Sequence, residues 1–465
     1  MSGTLRTEVQ PIDPRRLGSL IGAERLEALE HTAAAVRTLL GDRRIVNVNS
    51  TATGGGVAEM LATLIGYVRG VGIEAEWLVI VGEPEFFAVT KRVHNGLYGS
   101  PGDGGDLGLR ERAIYERTAA VNVARICAEV RPGDVVIIHD PQPAGLIAPL
   151  VERGAHVAWR CHVGYDDVNE WTERAWAFVR PYVESAHAHV FSRMSFAPEW
   201  IDRVRVRAIP PSIDPFTPKN GELEPFEVVD LLSAAGLLAM QGRRANPRVT
   251  LRADVIREGP PPEASVPLVV QVSRWDRMKD MVGVLKGFVD HVDGPAHLVL
   301  AGPAVTGVSD DPEGEEVWDE TCEAWSRLPM RARSRVHLAA IPMADPVENA
   351  LIVNALQRHA SVVAQKSLAE GFGLTVAEAM WKSKPVVASA VGGIVDQIVD
   401  GETGLLVEDP KDLPAFGAAV KRLLGDQAGA MRMGQKARGH IVEHFLGDRH
   451  LLQYAELLTE LLQAR

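Results

Sequence analysis

Two glutamates, Glu370 and Glu378, bracket the run Gly371, Phe372, Gly373, Leu374 and Thr375, where an apolar helix is predicted to open, with Glu378 two helical turns beyond Glu370. Peptide N–H groups of Gly373, Leu374 and Thr375 at such a helix start point toward an anion. Upstream, Arg274 and Lys279 follow the apolar run 267–272 with four residues between them, so that their cationic heads can converge on one diphosphate. Carboxylates hold hydroxyls, whereas amides and cations hold phosphate, and the set suits a glycosyl donor whose diphosphate departs. No Asp-x-Asp metal motif stands near a predicted strand end. Charge neutralisation is therefore expected from Arg274 and Lys279, with no metal and no cofactor. Plainer readings exist: Thr375-Val-Ala-Glu378 also fits a capping box, and an Arg/Lys pair in a loop is common. Glu370, immediately before Gly-Phe-Gly, has no such routine structural role.

The N-terminal half carries a second, more neutral set. Gly54, Gly55 and Gly56 lie between a predicted strand and helix, suiting either a tight turn or a close backbone approach to substrate. The spacing is neither a Walker A loop nor Gly-x-Gly-x-x-Gly. Arg160 and His162 end another predicted strand, and Asp140 with Gln142 ends a third. Lys91 and Asn95, beside His94, form one more polar patch among apolar residues. Sugar-hydroxyl recognition suits Asp140, Gln142, Lys91 and Asn95, with loop capping as the ordinary alternative, and His162 beside Arg160 suits either a binding role or a satisfied structural histidine.

Such residues need strands to position them. Buried strands are predicted over 44–50, 76–81, 134–139, 156–162, 187–192 and 205–211, then over 267–273, 296–302, 334–340, 360–365 and 384–389, with helical segments between. The pattern is α/β, two doubly wound parallel sheets in tandem, which bind ligands beyond the carboxyl ends of strands. The proline-rich segment 210–219 suits a linker, and a helical stretch to about residue 262 is expected after it. The expected division is an acceptor-side domain over 1–212, a nucleotide-sugar domain over 213–440 and a C-terminal helix over 441–465 that can cross back.

At 465 residues the chain exceeds one ordinary core. With 46% hydrophobic and 24% charged residues it reads as globular rather than disordered. A formal charge of −12 with dispersed basic residues argues against a nucleic-acid partner. Charged residues at the start of the chain and no apolar run approaching about 20 residues argue against secretion or membrane spanning. Cys127, Cys161 and Cys322 form neither a disulfide nor a metal framework, so a reducing cytoplasm is expected. Small-molecule substrates are the expected partners, and a homodimer stays open.

From residue 43 to about 460 the chain resembles the retaining glycosyltransferases of family 4, which have the GT-B fold of two Rossmann-like domains facing across a cleft, and among them the trehalose-forming branch. The glutamate motif of 370–382 marks the broad family. Runs at 47–59, 84–95, 139–143, 159–162, 210–215, 310–314 and 391–394 point to the branch. The resemblance implies that Arg274 and Lys279 neutralise the donor diphosphate, Glu370 holds glucose hydroxyls and Glu378 holds ribose. It further implies a donor site along Gly371 to Thr375, in which the amides of Gly373 to Thr375 complete a phosphate cradle closed by the Gly54–Gly56 turn, and a place for His162 near the reacting sugar. Asp140, Gln142, Lys91, Asn95, Arg160 and His162 are by the same resemblance acceptor-side. The implied reaction moves glucose from an ADP-, UDP- or GDP-linked donor to free glucose, giving α,α-trehalose. One departure stands out: Gly164 replaces an acid common in the branch, which loosens the acceptor assignment. A family 4 enzyme with another acceptor, a sugar-nucleotide epimerase and a non-catalytic sugar-nucleotide sensor are the rival readings.

Overall fold

A computed structural model describes residues 6–52, 55–240, 248–305 and 312–463. The chain divides into two compact units. One comprises residues 1–213, 370–372 and 444–465, and the other residues 214–369 and 373–443.

The first unit contains a six-stranded parallel sheet of order β2-β1-β3-β4-β5-β6. Its strands are β1 (Ile45–Asn49), β2 (Ala75–Val79), β3 (Val135–His139), β4 (His156–Arg160), β5 (Ala188–Phe191) and β6 (Val206–Ala208). Both faces are covered, so β3, Val-Val-Ile-Ile-His, is buried along its whole length. Alternation sorts the side chains. Val136, Ile138, Val157 and Trp159 enter one core with the helices Pro84–Leu97, Leu109–Glu129 and Glu170–Val183. Val135, Ile137 and Ala158 enter the other core, with Leu457, Leu458 and Leu461 of the C-terminal helix Gly447–Gln463. At the amino ends of the strands Arg44 is locked by Glu76 and Asp134, each 2.7 Å away.

The second unit holds a seven-stranded sheet of order β13-β12-β11-β8-β9-β10-β7. Its strands are β7 (Asp254–Ile256), β8 (Leu268–Val272), β9 (His297–Pro303), β10 (Val336–Ile341), β11 (Val362–Gln365), β12 (Val386–Ser389) and β13 (Leu405–Val407). All pairings are parallel except β7 on β10, which closes one edge.

The helical stretch expected to about residue 262 is a correction. Among the described residues of this stretch a helix occupies Pro225–Ala234 alone, Gly236 turns the chain at φ +79°, and β7 follows. Short β7 and β13 carry too little apolar pattern to stand out from loop in the sequence. No described helix is long and apolar enough to cross a membrane.

Candidate active site

The glutamate motif begins at the carboxyl end of β11. Gly373 takes the left-handed conformation, φ +85°, and starts the helix Leu374–Trp381 with no side-chain cap. Glu370 and Glu378 are both buried. The capping-box alternative for Glu378 fails. Thr375 is the second helical residue rather than the N-cap, and its Oγ1 donates to Gln365 Oε1 at 2.9 Å. Glu378 lies a full turn inside the helix, too deep to cap it. Gly371 and Phe372 group with the first unit, where a Cβ on Gly371 would stand 2.5 Å from the carbonyl oxygen of His162. That approach admits only glycine.

Loops at the ends of β8 and β11 are stitched together. Gln271, buried in β8, donates through Nε2 to the carbonyl of Lys279 at 2.7 Å and accepts the Lys366 N–H at 3.0 Å. The Leu368 N–H donates to the Met278 carbonyl at 2.7 Å. Lys366 is fully buried and paired with Asp280, which also caps the helix Met281–His291 in the left-handed region at φ +48°. Arg274 is exposed and reaches back to Asp276, 2.8 Å away. Lys279 closes the single turn Arg277–Lys279 and is half-buried. Arg277 between them turns outward to Glu316 and Glu320. Behind Glu378, Lys382 donates to Asn220, Gln357 and the Glu378 carbonyl, and burial pulls its pKa down to about 7.

In the first unit the carboxyl ends of β1, β3 and β4 gather a desolvated polar network. Asp140, just past β3, adopts φ +66° and accepts the His162 N–H at 2.8 Å. Burial lifts its pKa to about 6, although the His162 N–H opposes that rise. Trp159 Nε1 donates to the Asp140 carbonyl. The rings of His139 and His162 meet at 3.0 Å, and His139 also meets Asn47 Oδ1 at 3.0 Å. Burial, then the Arg160 charge, lowers His139 to about 3 and His162 well below the ordinary histidine value. Gln142 carries a buried Oε1 with no hydrogen-bond partner among the described residues.

Arg160 is wholly buried, donating to Ser192 Oγ at 3.3 Å, and burial lowers its pKa. Lys91 and Asn95 lie half-buried on the helix Pro84–Leu97. Gly55, at φ +79°, and Gly56 begin the helix Gly55–Gly70, exposed; Gly54 lies outside the described residues, as do Asp310 and Asp311. Gly164 packs so tightly on Phe196 that a Cβ there would stand 2.2 Å from its ring. Among the described residues no group of three or more His, Cys, Asp or Glu side chains is placed to hold a metal ion.

Sequence reasoning passed over Asn47, His139, Gln271, Asp276, Asp280 and Lys366. For Asn47 and Gln271 a signal was present: each is a polar residue inside an otherwise apolar strand. The pairing of Lys366 with Asp280 spans 86 positions and has no local mark.

Residues 47–198 match the family model described as "Trehalose synthase, N-terminal domain", and residues 254–440 match "Glycosyl transferases group 1". A trehalose synthase of Thermococcus litoralis is 37% identical over 452 residues, covering 95% of each chain. Among solved structures, a sucrose-phosphate synthase from Thermosynechococcus elongatus superposes with a TM-score of 0.66 at 18% identity, over 91% of this chain and 100% of that one. An E. coli trehalose-6-phosphate structure bound with UDP-2-fluoro glucose gives a TM-score of 0.68 at 13% identity, over 91% and 99%. Both share the fold of two Rossmann-like domains.

Proposed function

The chain belongs to the trehalose synthase family of GT-B glycosyltransferases, and from that premise we propose that it transfers glucose from a nucleoside diphosphate glucose to the anomeric hydroxyl of free glucose, with retention. The products are α,α-trehalose and the nucleoside diphosphate. The observation that carries this reading is the left-handed Gly373 opening a helix between two buried glutamates. Donor hydroxyls go to Glu370, the ribose to Glu378, and the diphosphate to Arg274, Lys279 and the amides of Gly373 to Thr375. The E. coli structure bound with UDP-2-fluoro glucose supports the donor class.

On this reading the bond from the anomeric carbon to the phosphate oxygen breaks while the acceptor oxygen bonds the same face. The acceptor proton passes to the departing phosphate oxygen. Cations and helix amides stabilise the charge that develops there, so neither a covalent nucleophile nor a metal is needed. Asp140, Gln142, Lys91 and Asn95 are acceptor-side groups. Gln142 supports that assignment, because its buried oxygen lacks a donor.

A second reading, transfer to a different small acceptor, is favoured by Gly164. Phe196 fills the space that a side chain there would need. Incubation with ADP-, UDP- or GDP-glucose plus glucose, in chelator, followed by chromatography, separates the readings. Trehalose formation is expected. Nucleoside diphosphate release only with another acceptor selects the second reading, and donor binding without turnover removes both.

A further inference from the structure

His162 is held at two points in the first unit. Its backbone N–H donates to Asp140 Oδ1 at 2.8 Å, and its ring meets His139 in a nearly coplanar arrangement, 12° between planes. Asn47, His139 and His162 are all more than nine-tenths buried, so every ring proton must be matched to an acceptor. Asn47 Oδ1 accepts, so His139 carries its proton on Nε2. His139 Nδ1 is then an acceptor, and its partner among the described residues, His162 Nε2, must carry the N–H. The proton positions propagate along the chain from β1 through β3 to β4.

We propose that Asn47 and His139 are positioning residues that hold His162 as the neutral Nε2–H tautomer, leaving Nδ1 as the one ring atom able to accept a hydrogen bond from a sugar hydroxyl. His162 therefore serves as a hydrogen-bond acceptor and not as a general acid. The groups facing the ring favour neutrality: the Arg160 guanidinium from β4, His139 from β3 and His450 from the C-terminal helix, while the Asp140 carboxyl accepts the His162 backbone N–H. The tautomer stands on this network by itself. Its use on a sugar hydroxyl rests on the proposed glycosyl transfer.

The test labels the ring nitrogens of histidine with 15N in the full chain and assigns His162 by its loss in His162→Gln. A neutral Nε2–H signal unchanged from pH 5 to pH 8 is expected. A neutral Nδ1–H signal, or protonation near pH 6.5, overturns the proposal. Asn47→Asp, which can only accept, should keep the tautomer and kcat within about 3-fold. Asn47→Ala should mix the tautomers and lower kcat about 10-fold or more, with KM for the donor little changed. His139→Asn, whose amide oxygen can stand at the Nδ1 position, should restore most of what His139→Leu loses. If His139→Leu does not fold, the Asn47 pair decides: equal spectra and rates in Asp and Ala remove the positioning role. A chain that makes no trehalose but keeps the Nε2–H signal refutes the reaction and leaves the tautomer standing.

Discussion

The carboxyl ends of the two sheets solve different problems. In the first unit Asn47, His139 and His162 are buried and hydrogen-bonded in a chain, Asp140 is half-buried and accepts the His162 N–H, and desolvation pushes His139, His162 and Asp140 toward their neutral forms. In the second, Arg274 and Arg277 are exposed, while the fully buried Lys366 is matched by Asp280. Groups held by hydrogen bonds in a dry setting suit the orientation of hydroxyls, whereas exposed cations on a stitched loop suit an anion. The contrast teaches that one fold unit, used twice, takes its chemistry from what its strand ends desolvate.

The largest effect tests that contrast from inside the second unit. Lys366→Met should cost about 3–5 kcal/mol, because it strands the Asp280 carboxylate, and urea denaturation of the variant measures it. A stability like that of the natural chain would deny the pair its part in holding the loops. Next, Arg274→Ala should lower kcat about 100- to 1,000-fold with the fold intact, as read from trehalose formation and circular dichroism. Arg277→Ala is its control. That guanidinium is spent on Glu316 and Glu320 at the surface, so turnover should stay within about 2-fold and stability within about 1 kcal/mol. Equal losses in the two variants would erase the distinction between them.

A pH experiment sharpens the neutral side. Asp140 has a folded pKa of about 6, above its ordinary 3.8, so the fold prefers the protonated form. Its contribution is full below pH 3.8 and is lost as pH rises to about 6, amounting to about 3 kcal/mol. His139, lowered to about 3, acts in the opposite direction across the same range, so the wild type must be compared with Asp140→Asn. The difference in unfolding free energy between them should change by about 2 kcal/mol of that amount between pH 4 and pH 6.5. A flat difference would mean that the carboxyl is ionised throughout.

Much of this architecture was legible before any coordinates. Runs such as Val135-Val-Ile-Ile-His139 are buried on both faces and so carry no alternation, and only a covered parallel strand explains them. The turn at Gly371–Gly373 was legible too, because glycines beside a helix start and flanking acids leave a local mark. The antiparallel β7 was not, since three residues at a sheet edge carry almost no pattern.

The sequence by itself determined which strands and helices form and which residue types stand at strand ends, because periodicity and glycine placement act between near neighbours. Only the tertiary structure decided who pairs with whom. Asn47 meets His139 92 positions away, and Lys366 meets Asp280 across 86, contacts made by strand order and not by any local preference. Protonation followed from the same source. Whether a histidine is neutral, or a lysine charged, depends on the water removed around it and the partner left beside it, and both exist only once the sheets are assembled.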